Sequence, residues 1–196
     1  MKKLFTGMFM LMVLLSLTIS AEAFDSKSIY RNEGMGASAG WSENYNGVYN
    51  DKYINVMETD DGTDIYVGIN SYDEFGNFLS DKWGYMFTQE DVFTIDKKLN
   101  SATLSPVDIE LYVYDSNTDT YIIETVTIAA QWTGEGDVIK SSSRSIFKYD
   151  DFMSKYSDNT LYREATATGS INDVYLGPSD YGELVKFKSV SMNMEK

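Results

Sequence analysis

Through most of this chain apolar side chains recur at every second position, and that period allows the backbone little except extended strand. Val107, Ile109, Leu111 and Val113 fall on one face, with Asp108, Glu110, Tyr112 and Tyr114 on the other. Ile65, Val67 and Ile69 oppose Asp64, Tyr66, Gly68 and Asn70 in the same way, and Val126, Ile128, Ala130 and Trp132 alternate with Thr125, Thr127, Ala129 and Gln131. Ile54 with Val56 makes a further inward set, and so do Leu79, Trp83, Tyr85 and Phe87. Near the end Val185 and Phe187 occupy one parity and Val190, Met192 and Met194 the other, which calls for a bulge near Lys188 and Ser189. No stretch beyond residue 23 sustains a 3.6-residue period. The helix-start signature Thr88-Gln89-Glu90-Asp91 precedes only Val92 and Phe93, room for one turn at most. One-sided apolar faces must be buried against each other. Eight to ten short strands separated by Asp, Asn, Gly and Ser clusters therefore predict an all-β fold, an antiparallel β-sandwich of immunoglobulin-like or jelly-roll-like type, with a closed barrel as the alternative.

The first 23 residues read as an export signal: Lys2 and Lys3 precede the apolar run Met8 to Leu17, and Ala21-Glu22-Ala23 supplies a small-x-small cleavage site. The run is too short for roughly 30 Å of hydrocarbon, so the expectation is cleavage after Ala23, a secreted or extracytoplasmic product and no transmembrane segment after signal removal. Residues 24–196 then form one domain, long enough to bury roughly 70% of the surface its unfolded chain exposes. The absence of cysteine is tolerable at that size.

Composition excludes a good deal. With neither His nor Cys there is no Ser-His-Asp or Cys-His nucleophile and no imidazole or thiolate metal site. A formal charge of −14 argues against nucleic acid or an anionic membrane as partner, because Lys and Arg supply most of such binding. The one common hydrolytic design left is a carboxylate pair for glycoside cleavage, with its acids roughly 5 to 9.5 Å apart. No local pattern selects two of the 30 acids, so the chain reads as non-catalytic.

Two segments resemble each other. Asp64–Ile69 leads to Tyr72-Asp73 and a polar turn before Phe78-Leu79, and Asp108–Val113 leads to Tyr114-Asp115 and a polar turn before Tyr121-Ile122. Both read as β-hairpins. Residues 134–159 lack this alternation and read as an irregular loop that gathers Lys140, Arg144, Lys148 and Lys155 around Phe147, Tyr149, Phe152 and Tyr156, its basic groups answering the acidic surroundings.

Three sets of side chains are candidate sites. Tyr66, Tyr72, Tyr112 and Tyr114 share the polar parity of their strands and form an expected aromatic platform for a glycan or an extracellular protein; cross-strand ring pairing that only stabilises the sheet is the competing explanation. Trp41, Trp83 and Trp132 would extend such a platform, although the last two fall on apolar faces and are expected in the core. Asp60, Asp61 and Asp64, and Asp115, Asn117 and Asp119, cluster oxygen atoms on turns as a Ca²⁺ site does. The second set has Thr120 where a calcium loop needs Gly and Val126 where it needs Glu, and turn-forming Asp and Asn explain both sets without a metal. Glu124 and Arg163 lie on the parity of apolar neighbours and form a candidate buried ion pair, the alternative being a glutamate that curls out to water. The expected role is therefore a cell-surface, matrix or ligand-binding protein. A small carboxylate-dependent glycan-active enzyme and a subunit that self-assembles through β-edge pairing are the alternatives, and the sequence leaves the oligomeric state open.

Overall fold

The computed structural model describes residues 27–115, 120–149 and 152–195; the expected signal peptide lies outside them. They form eleven antiparallel strands and no helix: β1 (Lys27–Tyr45), β2 (Val48–Thr59), β3 (Gly62–Tyr72), β4 (Phe78–Thr88), β5 (Phe93–Ile95), β6 (Ser101–Asp115), β7 (Thr120–Gly134), β8 (Ile139–Tyr149), β9 (Phe152–Ile171), β10 (Val174–Leu176) and β11 (Tyr181–Glu195). Eight of them close a ring in chain order. β1 pairs β2, β2 pairs β3, β3 pairs β4, β4 pairs β6, β6 pairs β7, β7 pairs β9, β9 pairs β11 and β11 returns to β1.

This corrects the expected sandwich. Immunoglobulin-like and jelly-roll-like folds need Greek-key connections between two sheets, whereas here the ring strands follow one another in chain order, with β5, β8 and β10 standing outside the ring, which is the up-and-down barrel. The strands are also longer than alternation alone indicated: β9 runs 20 residues and β1 runs 19. A meander of long hairpins brings its first and last strands side by side, and closure satisfies both edges at once.

Eight strands leave an interior that side chains can fill. Ile54, Val56, Ile65, Val67, Ile109, Leu111, Val126, Ile128 and Leu184 fill it here, as alternation predicted for all but the last. Two indoles are buried among small residues. Trp132 is buried and donates its Nε1–H to the Ser38 carbonyl across the interior at 2.9 Å; Trp41 is buried and donates to the Gly177 carbonyl at 2.8 Å. Ala37, Ala39, Ala130, Ala165 and Ala167 make room for these rings. One end of the barrel is stoppered by the β4–β6 connection, which sends in Phe93, edge-on to Trp132, and Leu99. At the other end Leu176 of β10 is fully buried, one residue before the carbonyl that holds Trp41.

Three further expectations are overturned. In β4 the inward residues are Lys82, Gly84 and Met86, opposite Ile69, Val67 and Ile65, so Leu79, Trp83, Tyr85 and Phe87 face outward. Thus Trp83 is outside and Trp41 is core, the reverse of the sequence reading. The reason is space: a Cβ on Gly84 would lie 2.5 Å from the Glu110 carbonyl oxygen and 2.8 Å from Leu111, because β6 closes in where the two strands pair at Lys82↔Val113 and Trp83↔Tyr112. In β11 no bulge occurs. Its register to β1 and β9 is unbroken, and Val185 and Phe187 are buried on the outer face because β1 offers Gly36 and Gly34 opposite them. Residues 139–149 and 152–171 are strands, not a loop; β8 and the first half of β9 form a hairpin with both faces accessible, and so carry no one-sided alternation.

Gly84→Val should therefore wedge β4 from β6 and lower the unfolding free energy by about 1–3 kcal/mol, the usual cost of overpacking a tight site. Urea unfolding followed by tryptophan emission measures it; an unchanged midpoint would show the seam to be loose.

Candidate functional site

The four tyrosines expected as a platform all stand on the outer wall, and each has a ring beside it. Tyr66 stacks on Tyr53 with centroids 5.7 Å apart, Tyr112 stacks on Trp83 at 4.8 Å, Tyr114 tilts against Tyr121 at 5.4 Å and Tyr72 meets Phe78 edge-on at 6.0 Å. Strand register extends this into a single row across the wall: Tyr181, Gly40, Tyr53, Gly68, Trp83 and Tyr112 are successive cross-strand partners. Tyr181 and Tyr53 lie so close over Gly40 and Gly68 that a Cβ there would come within 2.0 and 2.1 Å of the rings. Rings laid over glycine shield its backbone from water, so the row has a packing role of its own. Burial, and then the neighbouring Tyr66 hydroxyl, push the Tyr53 pKa up.

The other expected sites do not assemble. Asp64 accepts a hydrogen bond from the Tyr85 hydroxyl, which pushes that phenol up to about 12, and it faces out from β3. Asp60 and Asp61 border a pocket of about 270 Å³ with Glu58, Glu90 and Asp91, yet among the described residues no three such groups could hold a metal ion. Asp115 ends β6, and Asn117 and Asp119 lie outside the described residues. Glu124 and Arg163 do point along the inward parity, as read from the sequence, but they do not meet. The Glu124 carboxylate takes Lys82 Nζ at 2.9 Å near the β6–β7 hairpin. Arg163 works at the far end, roughly ten residues or 33 Å along the strands. There it donates to the Gly136 carbonyl at 3.0 Å, the Asn100 side chain at 2.6 Å and the Leu99 carbonyl, pinning the stopper. Sequence parity found the face; it could not find the position along the barrel axis.

The more distinctive arrangement comes from strands that outlast the ring. β1 meets β2 only from Gly34 onward and β7 meets β9 only from Ala165, so Lys27–Glu33, the end of β11, the start of β9 and β8 continue as a four-stranded extension past the stoppered end. On the face continuous with the barrel interior, register lines up Lys140, Leu161, Lys186 and Met35, then Ser142, Asn159, Lys188 and Glu33, then Arg144, Ser157, Val190 and Arg31, then Ile146, Lys155, Met192 and Ile29, with Lys148 beyond. Among the described residues, at least seven of the 16 basic residues in a chain of charge −14 thus share one sheet face, where Glu33 is the one acid. Glu33 reports that environment: its hydrogen bond and ion pair with Lys188 at 2.5 Å hold its carboxyl below the usual range, with smaller contributions from Lys186 and Arg31. Where this face meets the barrel rim it borders a cleft of about 840 Å³ lined by Lys97, Lys140, Lys186 and Lys188, by Glu58 and Asp60, and by Met35 and Leu161. Burial and the nearby Asp91 raise the Glu58 pKa.

The opposite face of the extension carries Phe147, Tyr156 and Tyr162. Lys140, Arg144, Lys148 and Lys155 are therefore separated from the aromatic residues around which they were expected to gather. Arg31, Lys186 and Lys188 were missed because they are remote in sequence; equal parity of the basic residues within each strand was the available signal. No protein-family model, no curated protein and no solved structure matches the chain.

On the outer wall, Glu183 sits directly opposite Glu164, and its pKa is raised by burial and by that neighbour. A carboxyl whose folded pKa is raised destabilises the fold when ionised, so stability falls as pH rises from the ordinary carboxylate value through the folded one. Glu183→Gln should raise Tm at pH 7 and lose that advantage near pH 4; an equal shift at both pH values would remove the electrostatic cause.

Proposed function

We propose that this is an exported, non-catalytic binding protein that holds an anionic extracellular partner, an acidic glycan or an acidic protein segment, along the basic face of the β1–β11–β9–β8 extension. The concentration of seven basic side chains on that face carries the reading. Ion pairs with single exposed charges are worth little, but a patch of one sign on an otherwise acidic molecule steers and orients an anionic ligand. Val190, Met192, Met194 and Met153 lie among the charges, and flexible thioethers adapt to irregular apolar groups on a partner. Export is supported by the order of charged, apolar and small residues in positions 1–23. A role in water and not in lipid is supported by the polarity of the barrel, whose interior is apolar and whose wall bears Asp64, Asp108, Glu110, Thr125 and Thr127, the inverse of a lipid-embedded barrel.

Polygalacturonate and polyglutamate should both bind at low salt, a neutral glucan should not, and binding should weaken steeply between roughly 20 and 200 mM salt as exposed charges are screened. The triple variant Lys140→Glu, Arg144→Glu, Lys186→Glu should lose at least tenfold in affinity while keeping the wild-type circular-dichroism spectrum. Equal binding of the neutral polymer, or full binding by the triple variant, would overturn the reading.

A further inference from the structure

The barrel has no edges, but the extension has one long one. Among the described residues β8 pairs only with β9, which leaves the other side of Ile139–Tyr149 as a row of backbone donors and acceptors eleven residues long. Ile139, Ile146 and Phe147 on this strand are exposed. The other unpaired edges among the described residues, Lys27–Glu33 of β1 and the three-residue strands β5 and β10, are shorter, so β8 offers the longest run for strand addition.

We infer that β8 pairs antiparallel with β8 of a second copy about a two-fold axis at Ser143, joining two extensions into one sheet. This goes beyond the ligand reading and does not depend on it. A two-fold axis perpendicular to the sheet keeps both faces aligned, so it must run through a residue, and charge chooses which. Centred on Arg144, the pairing would set Arg144 against itself and Lys140 against Lys148, and directly opposed like charges repel. Centred on Ser145, it would spend Phe147 on Ser143 and Ile146 on Arg144. Centred on Ser143, it sets Ile139 against Phe147 twice on one face and lays the Lys140 stem against Ile146 on the other, with Ser141 facing Ser145 and Ser142 facing Arg144. The strand sequence Ile139-Lys140-Ser141-Ser142-Ser143-Arg144-Ser145-Ile146-Phe147 is self-complementary in that register alone among the three.

The chain has no cysteine, so disulfide trapping reads the register directly. In the exported chain Ser143→Cys should cross-link under mild oxidation to a species of twice the mass, because directly opposed strand residues have Cα atoms roughly 4.5 to 5.5 Å apart, within disulfide reach. Ser141→Cys should not, since its copy would lie four residues, roughly 13 Å, along the strand. Sedimentation of the wild-type chain should show dimer that grows with concentration up to 100 µM, and Ser143→Lys should return it to monomer with an unchanged circular-dichroism spectrum. A wild-type chain that stays monomeric at 100 µM would overturn the inference, as would cross-linking of Ser141→Cys or Ser145→Cys equal to that of Ser143→Cys.

Discussion

Ring closure is the constraint from which the rest follows. Once eight strands pair all the way round, the width of the interior is set by strand number and tilt, and the inward residues must sum to that volume. Trp41 and Trp132 meet the demand with their rings among alanines, each with its one polar atom bonded to a backbone carbonyl, so neither indole carries an unpaired donor into the core. The same demand explains Gly84, where an approaching β6 leaves no room for a side chain, and the displacement of Trp83 to the wall. A barrel packed in this way has little space for a ligand inside. Binding of the kind proposed would fall to surfaces, and the strands that overrun the ring supply one.

Charge is sorted along the long axis of the molecule. The barrel wall carries Asp and Glu among Thr and Tyr, including the Glu183–Glu164 opposition, and the acidic pocket at the rim brings Glu58, Asp60, Asp61, Glu90 and Asp91 together. The extension carries the largest group of basic side chains. The cleft lies at the boundary, its lining shared by the acids Glu58 and Asp60 and the lysines Lys97, Lys140, Lys186 and Lys188. An anionic partner of the kind proposed would be attracted by the basic face and repelled by the acidic wall, so one arrangement would supply both attraction and orientation.

How much of this was legible in the chain depends on the range of the signal. Alternation is local, and it placed Val107–Val113, Ile65–Ile69 and Val126–Trp132 inward correctly. It failed in β4, where a glycine and a methionine hold the inward positions and the bulky residues face out, and in β11, where glycines on a neighbouring strand bury the second face. Both failures have a non-local cause: the deciding atom belongs to another strand. Closure itself is a statement about β1 and β11, whose partners lie roughly 140 to 170 positions apart, and a period of two says nothing about it. The aromatic row was half visible, because parity put Tyr66 and Tyr112 outward while only register reveals the glycines between the rings. The basic face needed parity and register together, across four strands.

The pairing of the first strand with the last has a consequence for biogenesis. β1 cannot complete its ladder until Tyr181–Glu195 has left the ribosome, and β9 waits on the same segment for its own neighbour. Contacts of such sequence separation form late and slowly. For export of the kind proposed, that delay would keep the polypeptide threadable until β11 has emerged to close the barrel.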